Sequence, residues 1–143
     1  AVQWNRMDPP AHGYTEKVYY HDMQPERDGT VTVALANDGF ERDEGFGVYI
    51  KYNTRQLPRF TQWKMTGEQE YVAGLEPCNC GVEGRHVDEE LGLLDYLRPG
   101  ENRTFDIEFG PLTDKAQWRA LGERTGRIDS QIVEHYREFV PRP

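Results

Sequence analysis

Cysteines and long apolar runs are both scarce in this sequence. Its 143 residues include only two cysteines, Cys78 and Cys80, and a single intervening residue makes an easy structural disulfide between them unfavourable. No stretch approaches the roughly 20 apolar residues that a membrane-spanning helix needs. Residues 1–10 contain no apolar run of the kind found in signal peptides. We therefore expect a cytoplasmic protein with no membrane partner.

Positive charge is also in short supply. The chain has 17 Lys and Arg against 25 Asp and Glu, a formal net charge of −8. Because a surface of this sign repels phosphate backbones, we do not expect a nucleic-acid partner. Cys78 and Cys80 lack the two-residue spacing and the second ligand pair of a zinc site, so we expect no metal. No phosphate-binding glycine-rich loop is present, and we expect no cofactor.

The first residues are unusual for a chain terminus. The sequence begins Ala1-Val2-Gln3 without Met, and Trp4 follows almost at once. Chain starts are normally polar and loosely held. We therefore expect the sequence to be a piece of a larger protein.

Alternation of apolar and polar residues predicts a mostly β protein. The predicted strands are residues 15–22, 30–37, 46–53, 57–65, 71–76 and 102–109. The charged residues 83–90 are expected to form a solvated loop, and periodicity alone does not assign the apolar residues 91–97 to helix or strand. Residues 98–101, Arg-Pro-Gly-Glu, have the pattern of a type II turn. Residues 113–124 and 129–140 then have helical spacing, so we predict an antiparallel sheet or sandwich followed by two C-terminal helices.

Glu76 is the strongest candidate for acid–base chemistry. In a strand over residues 71–76, Glu76 shares a face with Gly74 and Val72, whereas Leu75 and Ala73 share the other. A carboxylate at a strand end, beside a glycine that leaves space, is one way to present a general base. Many strand ends carry a solvated Glu, so the pattern alone leaves that alternative open.

Several short segments resemble the C-terminal part of the aldose 1-epimerase, or galactose mutarotase-like, superfamily, and most closely a branch of unknown function. The segments, in the family's order, are Trp4-Asn5-Arg6, Glu16-Lys17-Val18-Tyr19-Tyr20-His21-Asp22, Thr54-Arg55-Gln56-Leu57-Pro58-Arg59, Gln62-Trp63-Lys64-Met65, Leu75-Glu76-Pro77-Cys78-Asn79 and Leu97-Arg98-Pro99-Gly100-Glu101. The Leu-Glu-Pro-x-Asn segment and the downstream Arg-Pro-Gly-Glu turn are the most specific. The resemblance implies that residues 1–110 are part of a β-supersandwich. It does not cover residues 111–143, which the helical spacing above predicts to be a helical extension.

The resemblance also implies a reaction, the interconversion of the α and β anomers of an aldose through its open chain. A carboxylate removes the proton of the anomeric hydroxyl, and an imidazole protonates the ring oxygen. Glu76 matches the family's base. The family's acid histidine belongs to an upstream half that this sequence lacks, and His21 is the best substitute by position.

Four further residues are candidates for sugar binding, each with a structural alternative. The neighbouring Asp22 could orient the His21 ring in a folded site. Because sequence neighbours in a strand point to opposite faces, the alternative of a surface His–Asp pair is favoured. Trp63 would stack on a sugar or lie in the core. Lys64 would bind an acidic substituent or remain solvated. Asn79 would bind a hydroxyl or serve the turn.

Three functions remain open from the sequence. The first is a mutarotase-like isomerase that is complete only with its N-terminal half. The second is a carbohydrate-binding sandwich without catalysis. The third is a structural or partner-binding domain, including a possible homo-oligomer, suggested by the apolar stripe of residues 129–140.

Overall fold

The computed structural model describes residues 4–42 and 44–125. The strands are β1 (Lys17–His21), β2 (Thr30–Asn37), β3 (Phe46–Asn53), β4 (Arg59–Thr66), β5 (Tyr71–Cys78) and β6 (Ile107–Leu112), and the helices are α1 (Arg85–Glu90) and α2 (Lys115–Thr125). The first five strands lie close to their predicted positions. The predicted helix over residues 129–140 lies outside the described residues.

The strands form two antiparallel three-stranded sheets, in the orders β1-β4-β5 and β2-β3-β6. The alternating segments β2 and β3 pair along their whole length as the predicted hairpin. Val31, Tyr52, Leu57 and Phe60 form the buried core between the sheets. Burial of such side chains stabilises a fold by about 1.5–3 kcal/mol each. The predicted antiparallel β-sandwich is therefore confirmed.

The last strand begins later than its alternation predicts. β6 starts at Ile107, which pairs with Tyr52 near the end of β3. Residues 102–106 have almost no strand residues to pair with, because β3 ends at Asn53. The Gln56 side chain instead exchanges two hydrogen bonds with Asp106, one to its backbone N–H and one to its carboxylate. Side-chain bonds thus replace ladder bonds before the strand starts.

The prediction of a loop over residues 83–90 is wrong, because α1 forms there. Asp88 of this helix is buried and accepts a hydrogen bond of 2.7 Å from the backbone N–H of Gly81. Gly92, with φ +68°, follows the helix end. Residues 93–97 then form neither helix nor strand. The type II turn at residues 98–101 is consistent with Gly100 at φ +80° and a bond from Glu101 N–H to the Arg98 carbonyl.

The predicted helix over residues 113–124 is confirmed as α2. It packs near β2 and β6, on the side of the second sheet that carries Thr32, Lys51 and Glu108. In the described part of the chain, no helix has both the length and the apolar character needed to cross a bilayer.

The N-terminal segment, residues 4–14, crosses the inner side of the first sheet. Side chains of the sheet donate hydrogen bonds to alternate carbonyls of this segment: Gln62 to Trp4, Lys64 to Arg6, and the Tyr71 hydroxyl to Asp8. Every second carbonyl of an extended chain points the same way. These polar side chains therefore hold a segment that has no strand pairing of its own beyond one bridge between Ala11 and Gly67.

Candidate functional site

The register of the first sheet decides which side chains share a face. Glu76 of β5 pairs with Thr61 of β4, which in turn pairs with Tyr20 of β1. Directly paired residues of antiparallel strands project to the same side. These three residues therefore form one row across the outer face, which is the side of the sheet away from the core. Glu76 at its end is half-buried.

The next row of the outer face brings Trp63 beside Gly74, its partner in β5. A Cβ at position 74 would overlap the carboxylate of Glu76 and would lie 3.3 Å from the Cβ of Trp63. The missing side chain thus leaves the space into which the Glu76 carboxylate folds, near the Cβ of Trp63. The indole N–H donates a 2.7 Å hydrogen bond to the carboxylate of Glu16. The result is an aromatic surface beside a carboxylate, an arrangement able to hold the apolar side of a sugar and reach a hydroxyl.

Two hydrogen bonds hold the loop that follows β5. Arg59 donates through Nη1 to the backbone carbonyl of Asn79 at 3.0 Å. The Tyr20 hydroxyl donates to the carboxylate of Glu83 at 2.6 Å. Because Arg59 and Tyr20 both belong to the outer face, their hydrogen bonds hold the loop near Glu76. Asn79 is half-buried in this loop, three residues beyond Glu76.

Sequence reasoning did not identify several residues of this outer face. Arg59 and Thr61 have the same strand parity as Trp63, and that signal was available in the sequence. Tyr20 required the pairing of β1 with β4, whose paired residues lie some 40 positions apart along the chain. Glu16 belongs to the predicted strand over residues 15–22 but precedes β1 in the structure, and Glu83 lies in a loop.

The structure does not bring His21 and Lys64 together with Glu76. His21 pairs with Phe60 and therefore projects to the inner face. Its Nε2 lies 3.1 Å from Oε1 of Gln62, and its ring meets Trp4 and Phe60 edge-on. The sequence analysis gave a surface pair of His21 with Asp22 as the alternative. His21 is instead half-buried, and its side-chain partner is Gln62.

Lys64 also lies on the inner face, and its side chain is only 1% exposed. Its ammonium group donates to the Arg6 carbonyl and lies 3.3 Å from the Asp8 carboxylate. The solvated alternative for Lys64 is therefore wrong. The charge has partners within the N-terminal segment, and the sheet separates it from Glu76.

Burial of His21 predicts a stability that falls in acid. Burial lowers the pKa of His21, and the hydrogen bond with Gln62 opposes part of that effect. In the unfolded chain the pKa is about 6.5, so protonation below that pH favours unfolding until the folded pKa is passed. We expect the free energy of unfolding to decline between pH 7.5 and 5 in denaturant titrations. His21→Gln should flatten that decline, whereas His12→Gln, at an exposed histidine, should leave it unchanged. An equal decline in the His21 variant would contradict this assignment.

Two cavities formed by the described residues do not include Glu76 in their lining. An apolar cavity of about 610 Å³ opens between the two sheets, where its lining includes Leu35, Ile50, Leu75 and Phe109. A second, of about 270 Å³, lies under α2. Neither is lined by Glu76. Phe109 is 79% exposed at the open side of the larger cavity, so the sandwich is unclosed there.

Metal and thiol chemistry find little support in residues 4–42 and 44–125. No group of three or more His, Cys, Asp or Glu side chains in these residues is arranged to hold a metal ion. Cys78 and Cys80 are free thiols. Burial raises the pKa of Cys80, and Cys78 and Asp88 add to the effect while Arg59 opposes it. Cys80 is therefore a protonated thiol at neutral pH rather than a nucleophile.

The two antiparallel sheets form a galactose mutarotase-like β-sandwich, as its similarity to a solved structure shows. A crystal structure from Klebsiella pneumoniae subsp. pneumoniae MGH 78578, described as that of "a putative aldose 1-epimerase", superposes with a TM-score of 0.78 at 26% sequence identity. The match covers 86% of this chain and 32% of that protein, so the chain spans about a third of its relative's length.

The chain belongs to the family DUF4432, a domain of unknown function, whose sequence profile matches residues 1–110. This agrees with the resemblance seen in the sequence motifs. No curated protein matches the chain.

Proposed function

We propose that the complete natural polypeptide carrying this sequence is a mutarotase-like isomerase that interconverts the anomers of an aldose. The observation that carries the proposal is the outer face of the first sheet, where the Glu76 carboxylate folds over Gly74 and Trp63 occupies the adjacent position of β4. The similarity to the Klebsiella pneumoniae protein supports the same reaction class. This chain would contribute the base and one wall of the sugar site.

In the proposed reaction, Glu76 removes the proton of the anomeric hydroxyl. As the C1–oxygen double bond of the open-chain aldehyde forms, the bond between C1 and the ring oxygen breaks and that oxygen takes a proton from a general acid. Rotation about C1–C2 exposes the other face of the aldehyde, and closure returns both protons. Trp63 would support the apolar side of the sugar, and Asn79 would bind a hydroxyl.

The general acid is proposed to come from polypeptide outside this chain. His21 and Lys64 project from the inner face, and each is bonded to a neighbour. We therefore propose that His21 and Lys64 support the N-terminal segment that covers the inner face and do not contact the sugar. The relative carries about two thirds of its length beyond the matched part, which is room for the remaining walls.

The test is the optical rotation of freshly dissolved aldoses with the complete polypeptide. We expect the relaxation to equilibrium to accelerate for at least one sugar of a panel of neutral, acidic and phosphorylated aldoses. Binding in calorimetry without acceleration would instead favour a carbohydrate-binding sandwich. A folded protein that neither binds nor accelerates any of them would contradict both.

Gly74→Ala tests whether the space beside Glu76 matters. The new methyl group would occupy the place of the carboxylate, which must swing away. Because small misplacements of a catalytic group are costly, we expect kcat to fall about 10- to 100-fold. The free energy of unfolding should change by only about 1 kcal/mol, since a flexible side chain can move.

Gly122→Ala is the matched control, because nothing lies within 4 Å of a Cβ added there in α2. It should leave kcat unchanged and stabilise the helix by up to about 1 kcal/mol. Full activity in Gly74→Ala would show that the carboxylate does not act from the position seen here.

A further inference from the structure

Trp63 is fixed at both ends of its side chain. Its Cβ packs against Gly74, at 3.3 Å from the position of an added Cβ. Its indole N–H donates to Oε2 of Glu16 at 2.7 Å, within the range of a strong bond to a carboxylate. Glu16 directly precedes β1, so the bond passes over the outer face from one edge strand to the central strand β4.

This bond selects the orientation of the indole ring. The second side-chain torsion of tryptophan is an sp³–sp² rotation with broad wells, so packing at Cβ alone leaves the ring free to turn. The indole N–H is a donor only and needs an acceptor. With the Glu16 carboxylate as that acceptor, the ring is held in one orientation on the outer face, which also carries Glu76, instead of sampling alternatives.

We propose that Glu16 is a positioning residue, whose carboxylate holds the indole of Trp63 as the surface on which the apolar side of the sugar rests. The role depends on the proposed mutarotase-like function and deepens it. Glu16 acts through Trp63 and does not touch the reacting atoms. Residues that hold a contact residue in one rotamer reduce the ordering cost of ligand binding.

The test is a double-mutant cycle in the complete polypeptide, with Glu16→Ala, Trp63→Phe and the pair. Glu16→Ala should raise the KM of the accepted sugar about tenfold and change kcat less than about twofold, because the bond supports binding and not proton transfer. Glu16→Gln retains an acceptor oxygen and should recover most of the affinity. Phenylalanine has no N–H, so Glu16→Ala should have no further effect once Trp63→Phe is present.

A second measurement reads the bond without the reaction. In the ¹⁵N-labelled complete polypeptide, the indole N–H resonance of Trp63 is identified by its loss in Trp63→Phe. It should move upfield in Glu16→Ala and much less in Glu16→Gln, as expected on losing a short bond to a carboxylate.

The outcomes separate the two proposals. With an active wild type, a KM effect of Glu16→Ala that persists in the Trp63→Phe background overturns the positioning role alone. So does an unmoved indole resonance. A wild type that neither binds nor converts any sugar overturns the mutarotase-like function and the positioning role with it, whatever the resonance shows.

Discussion

Glu76→Gln should abolish most of the anomer interconversion, lowering kcat about 10²- to 10⁴-fold, the usual contribution of a general base. The amide keeps the size and shape of the carboxylate but does not accept the proton of the anomeric hydroxyl. It still fits the space that Gly74 leaves. We therefore expect KM and the free energy of unfolding to change little. Polarimetry of a fresh anomer, with KM and kcat determined separately, measures the effect.

The matched control is Glu68→Gln, which removes an exposed carboxylate that lies 3.1 Å from Nδ1 of His12, in the connection between β4 and β5. It should retain full activity. An active Glu76→Gln variant would remove the base from the mechanism. A loss of equal size in both variants would point to a general effect of charge and not to one catalytic group.

Lys64→Ala should lower the free energy of unfolding by about 2–4 kcal/mol, a large loss for a residue other than those of the apolar core. The side chain is 1% exposed, so the substitution removes three buried methylenes. Its ammonium group holds the Arg6 carbonyl and the Asp8 carboxylate, which both lose a charged donor. Denaturant unfolding measures the free energy. Trypsin cleavage after Arg6 should also accelerate, because the N-terminal segment loses its central attachment.

Two variants separate the causes. Lys64→Met keeps an apolar stem of similar length and removes only the donor, so it should accelerate cleavage after Arg6 with a smaller loss of stability. Lys17→Ala removes an exposed cation above the ring of Tyr14 and should change stability by less than about 0.5 kcal/mol. Unchanged cleavage in both Lys64 variants would contradict the role of Lys64 in holding the segment.

Local pattern was sufficient where local rules decide the structure. The alternation in β2 and β3 placed both strands and their hairpin because each has one face toward the core. The turn at residues 98–101 followed from the conformations that Pro99 and Gly100 favour. Parity within β5 also put Glu76 and Gly74 on one face, which the register confirms.

Features that depend on long-range strand pairing could not be predicted from local sequence pattern. That His21 and Glu76 project from opposite faces follows from the registers of β1 and β5 on β4, and nothing near either residue encodes them. The burial of Lys64 could not be predicted from the sequence either, because its partners are a backbone carbonyl and a carboxylate of an irregular segment. In the charged run that forms α1, the buried Asp88 accepts a hydrogen bond from the backbone N–H of Gly81, a contact that no local pattern indicates. The roles of Glu76, Trp63 and Asn79 toward a sugar stay predictions.

The most direct test is a crystal structure of the Glu76→Gln variant of the complete polypeptide with a bound aldose. The slow variant should hold the intact ring. The account predicts the anomeric oxygen within hydrogen-bond reach, about 2.6–3.2 Å, of the amide that replaces the Glu76 carboxylate, and the sugar's apolar side against Trp63. A sugar bound elsewhere, such as between the sheets near Phe109, with the outer face of the first sheet empty, would contradict it.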